Sequence, residues 1–397
     1  MLAARMQNFS GSATGAISMK VAELKAAGKE IIALNVGEPD FGTPDHIKCA
    51  AIKAITDNFT KYTVCPGILE LRQAIAAKLQ QDNNLKYTVD QICVTEGAKQ
   101  AIFSTFLALT GPGDEVIVPI PCWVSYTEII KFTGAKPVFV ECKAADGYDL
   151  DLEAVAKAIT PRTKAIIICS PNNPTGAVYS EATLRGLGEL AVKHDFYVIA
   201  DEIYEKLIYD GEKHFSIGSI SPEVWEKTIT VNGFSKAYAM TGWRLGYVAA
   251  NDEVIGGIKK IQSQSLTNPN AITQKAGVEA LTGPQYILEQ MVKTFAERRS
   301  YLLQRCRELP GVTLTEPKGA FYVFPDISSC FGKKYQGRSI NNAIDFTELV
   351  LTSKCVAFVP GEAFGMEGCI RLTYSNSLEN LKTAMDRIAE FIAELED

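Results

Sequence analysis

Between Gln91 and Ala250 short apolar runs alternate with stretches of helical periodicity, and this alternation restricts the fold more than any other feature of the chain. Strand-like runs stand at Gln91–Thr95, Val116–Val118, Pro137–Val140, Lys164–Cys169 and Phe196–Ala200, with another at Thr228–Val231 and a last one at Arg244–Ala250. Helical patterns fall between them at Gln100–Leu109, Tyr126–Phe132 and Ala182–His194. Parallel strands need a long crossover to regain the same edge, and a helix is the usual crossover. The pattern therefore predicts an α/β fold with a parallel sheet covered by helices on both faces. Ligands of such sheets collect beyond the carboxyl ends of the strands. The Gly97 turn, the loop at Asn173, Asp201 and Lys236 all follow strand ends, so separate segments should converge on one crevice.

The flanks have a different character. Before Gln91 the sequence predicts a helix with Val21, Leu24 and Ala27 on one face, a short strand at Ile31–Val36, a helix from Pro44 and Asp45 to Ile55, and another from Ile68 to Gln80. After Asn251 come long amphipathic helices at Val254–Gln264, Ile272–Leu281 and Tyr286–Leu309, then strands at Ala320–Phe324, Val356–Val359 and Ile370–Tyr374. A chain of 397 residues exceeds the usual size of one core, so this α+β stretch reads as a second, smaller domain.

Composition removes several classes of function. With 47% apolar and 22% charged residues and a formal charge of −6, nucleic acid and anionic membranes are not expected as partners. No apolar run is long enough to span a bilayer, and the first residues lack the apolar core of an export signal, so a cytoplasmic location is expected. The 10 cysteines are scattered without a C-x-x-C pair and read as buried reduced thiols. The 3 histidines have no metal-like spacing, so no metal is expected.

Lys236 follows an apolar run, with Ser235 beside it and Ala237-Tyr238-Ala239-Met240 after it. Withdrawal from water lowers an amine's pKa and frees its lone pair for an imine with a carbonyl cofactor. Gly97-Ala98-Lys99 opens a helix and offers backbone N–H groups to a phosphate. A plain turn explains that motif equally well until Ser235 and Arg244 are added. Asp201 ends an apolar strand, where an acid needs a cationic partner; a structural ion pair or a helix cap would also serve. Tyr204 and Asn173 offer a phenol and an amide to a ring hydroxyl. Trp123 offers a face for stacking, or simple packing. Together these groups describe a site for pyridoxal 5′-phosphate.

The ordered set Ser170-Pro171-Asn172-Asn173-Pro174-Thr175-Gly176, Asp201-x-x-Tyr204, Ser235-Lys236 with Arg244, and Arg371 in an apolar strand resembles the fold-type I, class I aminotransferases over essentially the whole chain. The resemblance implies a large cofactor-binding domain at 41–282 with a mixed, mostly parallel sheet, a small α+β domain at 283–397, and an N-terminal segment, 1–40, joining the small domain. It makes Lys236 the imine-forming lysine and proton carrier, and Asp201 the partner of the pyridine nitrogen. Asn173 and Tyr204 hold the ring oxygen, Trp123 stacks on the ring, and Gly97, Ala98, Ser235 and Arg244 bind the phosphate. Tyr62 resembles a tyrosine that reaches a neighbouring subunit's phosphate, which implies a homodimer with shared sites. Arg371 clamps the substrate α-carboxylate, and Gly37 passes beside it.

For the side-chain carboxylate the chain resembles the aspartate aminotransferase branch that uses a lysine in the phosphate turn, here Lys99, with N-terminal hydroxyls, here Ser12 and Thr14. The branch that uses an arginine has it in a loop matching 262–269, which holds none here, and has a serine where this chain has Gly233. Relatives that accept prephenate carry a basic residue shortly before the hydroxyls, where this chain has Ser10. The expected reaction is aspartate:2-oxoglutarate transamination by a ping-pong route. Aromatic or prephenate transamination is the alternative, and a pyridoxal-phosphate C–S β-lyase is a second class.

Overall fold

The computed structural model describes residues 2–11 and 13–396. At its centre is a seven-stranded sheet with the spatial order Ile92–Thr95, Gly246–Ala249, Thr228–Gly233, Tyr197–Asp201, Thr163–Cys169, Glu115–Ile120 and Lys136–Glu141. From Thr228–Gly233 outward the strands are parallel. Gly246–Ala249 alone runs antiparallel to both neighbours. The chain turns back there through Thr241–Trp243 and Arg244, whose φ is +55°, instead of crossing over by a helix. That left-handed residue also explains why the strand expected from Arg244 begins at Gly246.

The inner strands Thr228–Gly233 and Gly246–Ala249 are buried at every position, and Glu115–Ile120, Thr163–Cys169 and Tyr197–Asp201 at all but one, which is why they read as continuous apolar runs. The edge strand Lys136–Glu141 alternates more and leaves Phe139 exposed. The crossover helices follow the usual amphipathic logic. Glu181–His194 buries Leu184, Leu187 and Ala191 on one stripe, with Ser180 Oγ accepting the Thr183 N–H at 3.1 Å to cap it. Asp195 at φ +58° stops it. Burying each such leucine stabilises the packed layer by about 1.5–3 kcal/mol. One crossover helix, Leu152–Ala158, has no counterpart in the sequence reading; it is short and is fixed by Asp151, which accepts from two backbone N–H groups.

A three-stranded antiparallel sheet of Val359–Pro360, Ile370–Thr373 and Tyr322–Val323 packs with the helices Tyr286–Glu308, Ala343–Lys354 and Leu378–Ala393. Three expected strands are shorter than the sequence suggested. Ala320 takes φ +58° and ends the extension before Tyr322. The run at 356–359 divides because Val356–Ala357 pairs with Ile32–Ala33 while Val359–Pro360 pairs with Ile370–Arg371. The segment after Ala33 leaves its ladder because Leu34 donates to Ala357 and accepts from Thr373, bridging two strands. Most cysteines are buried as free thiols, but Cys49 is exposed on the outer side of the helix Asp45–Thr56, correcting the uniform burial expected of them. Among the described residues, no helix is long and apolar enough to cross a membrane.

Candidate active site

A cavity of about 390 Å³ opens at the carboxyl ends of the central strands and is closed by the strand carrying Arg371. Thr14, Gly37, Ala98, Lys99, Trp123, Asn173, Asp201, Tyr204, Ser235, Lys236, Arg244 and Arg371 all line it. Gly97 stands just behind the lining. Ser12 lies outside the described residues, and Tyr62 is 88% exposed on a loop that does not reach this chain's own cavity.

Lys236 occupies the helical turn that follows Thr228–Gly233. Its ammonium donates to the Gly37 carbonyl and lies 5.8 Å from the Tyr204 ring and 5.7 Å from the Phe321 ring. Loss of water, with Arg371 as a nearby like charge, lowers its pKa to about 8. The amine is thus available as a base or nucleophile near neutral pH.

Asp201 ends its strand 4% exposed, and burial raises its pKa to about 6. Two donors hold the carboxyl group: Tyr126 Oη reaches Oδ2 at 2.6 Å and the Ile203 N–H reaches Oδ1 at 3.2 Å. Glu202 and Glu205 alternate with Asp201 and Tyr204 along the same turn and point into a separate buried network. Asn83 Nδ2 donates to Glu202, Glu205 and Ser216, while Lys78 pairs with Glu205 and His214 Nε2 lies 3.2 Å from Glu202. Burial opposes the charges here, yet Lys78 and His214 hold Glu205 down to about 2, and Glu202 and Glu205 raise His214. Glu202, Glu205 and His214 have metal-like proximity, but the Lys78 ammonium already pairs with Glu205 and His214 with Glu202. The network clamps the Asp201–Tyr204 turn from behind.

At one end of the cavity the helix Ala98–Leu109 starts without a side-chain cap, leaving its first N–H groups directed outward. Gly97 has φ +82°, and a Cβ there would lie 2.6 Å from Arg244 Nη2, so only glycine lets the guanidinium approach the turn. Arg244 is exposed, and its donors go to the carbonyls of Thr241 at 2.8 Å and Glu96 at 3.3 Å. Ser235 completes this anion-ready end.

At the opposite side Arg371 is 3% exposed. Its Nη1 donates to Asn173 Oδ1 at 2.9 Å and its Nη2 to the Asn35 carbonyl at 2.8 Å. The guanidinium lies over the Tyr322 ring at 4.5 Å, and among the described residues its Nε has no partner. Tyr322 also shares a 2.9 Å hydrogen bond with Tyr204, and a Cβ on Gly37 would meet its hydroxyl at 2.7 Å. Lys99, exposed at the rim, sits 4.8 Å from the Trp123 ring; desolvation and the Arg244 charge both lower its pKa.

Tyr126, Tyr322 and Asn35 were not foreseen from the sequence. Tyr126 follows Trp123 by one helical turn, which is a usable signal. Tyr322 is recognisable only once Thr373 is known to pair with it, because that register puts Arg371 on the same face.

Residues 29–388 match the family of class I and II aminotransferases. The chain is 41% identical over 391 residues to the aspartate aminotransferase of Bacillus subtilis (strain 168), with 98% of each chain covered. It is 44% identical over 390 residues to the probable aspartate/prephenate aminotransferase of Rickettsia bellii (strain RML369-C), again with 98% of each covered. Its structure matches that of the Thermus thermophilus aspartate aminotransferase with maleate at a TM-score of 0.93 and 44% identity, over 98% of this chain and 99% of that one. Since the family match runs from the first strand through the central sheet to the strand of Arg371, this chain belongs to the class I and II aminotransferases.

Proposed function

We propose that the chain transfers the amino group of L-aspartate to 2-oxoglutarate, giving oxaloacetate and L-glutamate by a ping-pong route. One observation carries this reading. Arg371, Lys99 and Arg244 line one cavity, and among the described residues none has a carboxylate within ion-pair reach. Cations without acids call for anionic ligands. Arg244 at the helix start suits a phosphate, leaving two cations for the two carboxylates of a dicarboxylic substrate. The maleate in the Thermus thermophilus structure is such a dicarboxylate.

Pyridoxal phosphate is the cofactor of the family, and this donor set fits it: a desolvated amine at Lys236, a buried acid at Asp201, and a glycine-lined cradle at Gly97 that a Cβ would fill. When bound, it supplies an aldehyde that carries the amino group and a ring that takes up the electron pair left by the departing Cα proton. Asp201 supplies the negative charge for the ring nitrogen. Tyr204, and Asn173 through its amide nitrogen, would hold the ring hydroxyl, and Trp123 would cover the ring face. Lys236 would take the substrate Cα proton and carry it on Nζ. Arg371 fixes the α-carboxylate, with Asn173 and the Asn35 carbonyl holding the guanidinium in plane.

For the side-chain carboxylate we assign Lys99 with Thr14, and Ser12 from the sequence. The alternative loop supports this, because Gln262 is buried and spends its amide on the carbonyls of Cys65 and Val94. Lys99→Ala should raise KM for aspartate by about 10-fold or more while changing that for alanine little, as expected from losing one charged hydrogen bond of about 1.5–3 kcal/mol. Steady-state kinetics with both donors checks this, and an equal loss for the two would overturn the assignment.

A second reading, aromatic donors, is favoured by an adjoining cavity of about 490 Å³ lined by Phe9, Phe103, Ile129 and Phe132, which shares Lys99 and Arg244 with the first. Prephenate is less well served: the Ser10 N–H in that cavity bonds the Glu128 carboxylate, so the extra group there is an acid. Bleaching by phenylalanine as fast as by aspartate would establish the second reading.

The homodimer is supported by exposed apolar side chains crowded into one stretch, Ile52, Ile55, Tyr62, Val64 and Leu69. Sedimentation should give twice the 43.3 kDa chain mass, and a stable single-chain mass would contradict it. The division at 1–40, 41–282 and 283–397 is supported by the pairing of Ile32–Ala33 with Val356–Ala357, which ties the N-terminal segment to the C-terminal one. Limited proteolysis that cuts first near 283 would agree with it, and initial cuts elsewhere would not.

A further inference from the structure

Tyr126 is 2% exposed at the wall of the cavity, and its hydroxyl makes the shortest contact to Asp201, 2.6 Å to Oδ2. The two residues are 75 positions apart and come from different layers: Tyr126 from the helix Ser125–Thr133, Asp201 from the end of a central strand. The pairing is directional. Burial and the adjacent carboxylate push the phenol well above its ordinary range, so it donates at every working pH. Among the described residues, Asp201's other oxygen accepts only the Ile203 N–H, at 3.2 Å. The remaining groups that act on Asp201 are Lys236 from the following strand's turn, Glu202 beside it and Cys169 from the neighbouring strand. Cys169 Sγ is engaged with the Pro171 carbonyl at 3.2 Å, so Tyr126 is the side-chain donor to this carboxylate.

We infer that Tyr126 is a positioning residue that fixes where the proton lies between Asp201 and the cofactor's ring nitrogen. The inference rests on the proposed role of Asp201 as partner of that nitrogen. A hydrogen bond donated to a carboxylate oxygen lowers the proton affinity of the whole carboxyl group. With Tyr126 in place, the shared proton stays on the ring nitrogen. Without it, Asp201 becomes the better base, and the proton moves from nitrogen to carboxylate oxygen. One charged hydrogen bond corresponds to about one to two pH units of proton affinity. Tyr126 also holds the carboxylate in one rotamer, since it ties Oδ2 to the helix Ser125–Thr133, an element other than the turn that carries Asp201.

The test uses the full-length holoenzyme loaded with pyridoxal phosphate labelled with nitrogen-15 at the ring, and follows the ring signal across a pH titration. Tyr126→Phe keeps the aromatic packing and removes only the donor. Its ring-nitrogen midpoint should fall by about one to two pH units, with the signal moving toward the unprotonated position. Placing 3,5-difluorotyrosine at 126, a stronger donor of the same shape, should move the signal the opposite way; this arm stands even where Tyr126→Phe fails to fold. Asp201→Ala is the control for the underlying reading and should leave the ring nitrogen unprotonated. If Asp201→Ala shifts the signal while neither change at 126 does, the inference about Tyr126 is overturned. If Asp201→Ala leaves the signal unmoved, the role of Asp201 fails as well.

Discussion

Replacing Lys236 by alanine is expected to lower kcat by at least about 10⁴-fold and to abolish the visible absorbance that the lysine–cofactor linkage gives the protein. Among the described residues lining the cavity, Lys236 is the amine whose pKa is brought down to about 8, and it faces Arg371, Asp201 and the Tyr204 ring at once. Lys99 is at the rim over Trp123 and cannot substitute for it. The loss should come from chemistry and not from unfolding. An amine whose folded pKa is depressed from 10.5 to about 8 is charged at pH 7 against its surroundings, so it costs the empty protein stability below pH 8. That cost fades as pH rises from 8 toward 10.5. The variant without cofactor should therefore melt no lower than the wild type at pH 7. Absorbance spectra, turnover and a melting curve check the three parts, and substantial residual turnover would remove Lys236 from its role.

Arg371→Leu should reduce kcat/KM by on the order of 10² to 10³ for every amino donor alike, because it removes a buried guanidinium worth about 3–5 kcal/mol to its partners. Asn173 Oδ1 and the Asn35 carbonyl, now served at 2.9 and 2.8 Å, would lose their donor, and the ring of Tyr322 its cation. Arg371→Lys should recover only part of the loss. A point charge cannot bind Asn173, the Asn35 carbonyl and a carboxylate together as a planar fork does. The signature is uniformity: aspartate, glutamate and alanine should all lose equally, whereas Lys99→Ala separates aspartate from alanine. A donor-selective effect at Arg371 would place the α-carboxylate elsewhere.

Much of this arrangement was legible in the sequence because buried parallel strands leave long apolar runs, and because the residues that follow them are drawn to one side of the sheet. Asp201, Lys236 and the Gly97 turn were found in that way. The direction of Gly246–Ala249 was not, since nothing in the residues distinguishes a helical crossover from a tight return; the left-handed Arg244 decides it. The short strands near the C-terminus were overextended for a similar reason. Phe358 and Ala320 are apolar and strand-like by type, but one lies where the chain changes partner and the other at a positive φ. Tyr126 and Tyr322 stayed hidden because a tyrosine among apolar residues looks like packing until its hydroxyl has a partner. The same limit applies to Glu202, Glu205 and His214, whose proximity depends on a turn and on Lys78 from a distant helix.

The most direct test of the account is a half-reaction. Holoenzyme mixed with L-aspartate and no oxo-acid acceptor should lose its visible absorbance while releasing one oxaloacetate per site, and 2-oxoglutarate should restore the spectrum with formation of glutamate. An unchanged spectrum with aspartate, or continuous release of pyruvate or thiol from sulfur-containing donors without any acceptor, would contradict it.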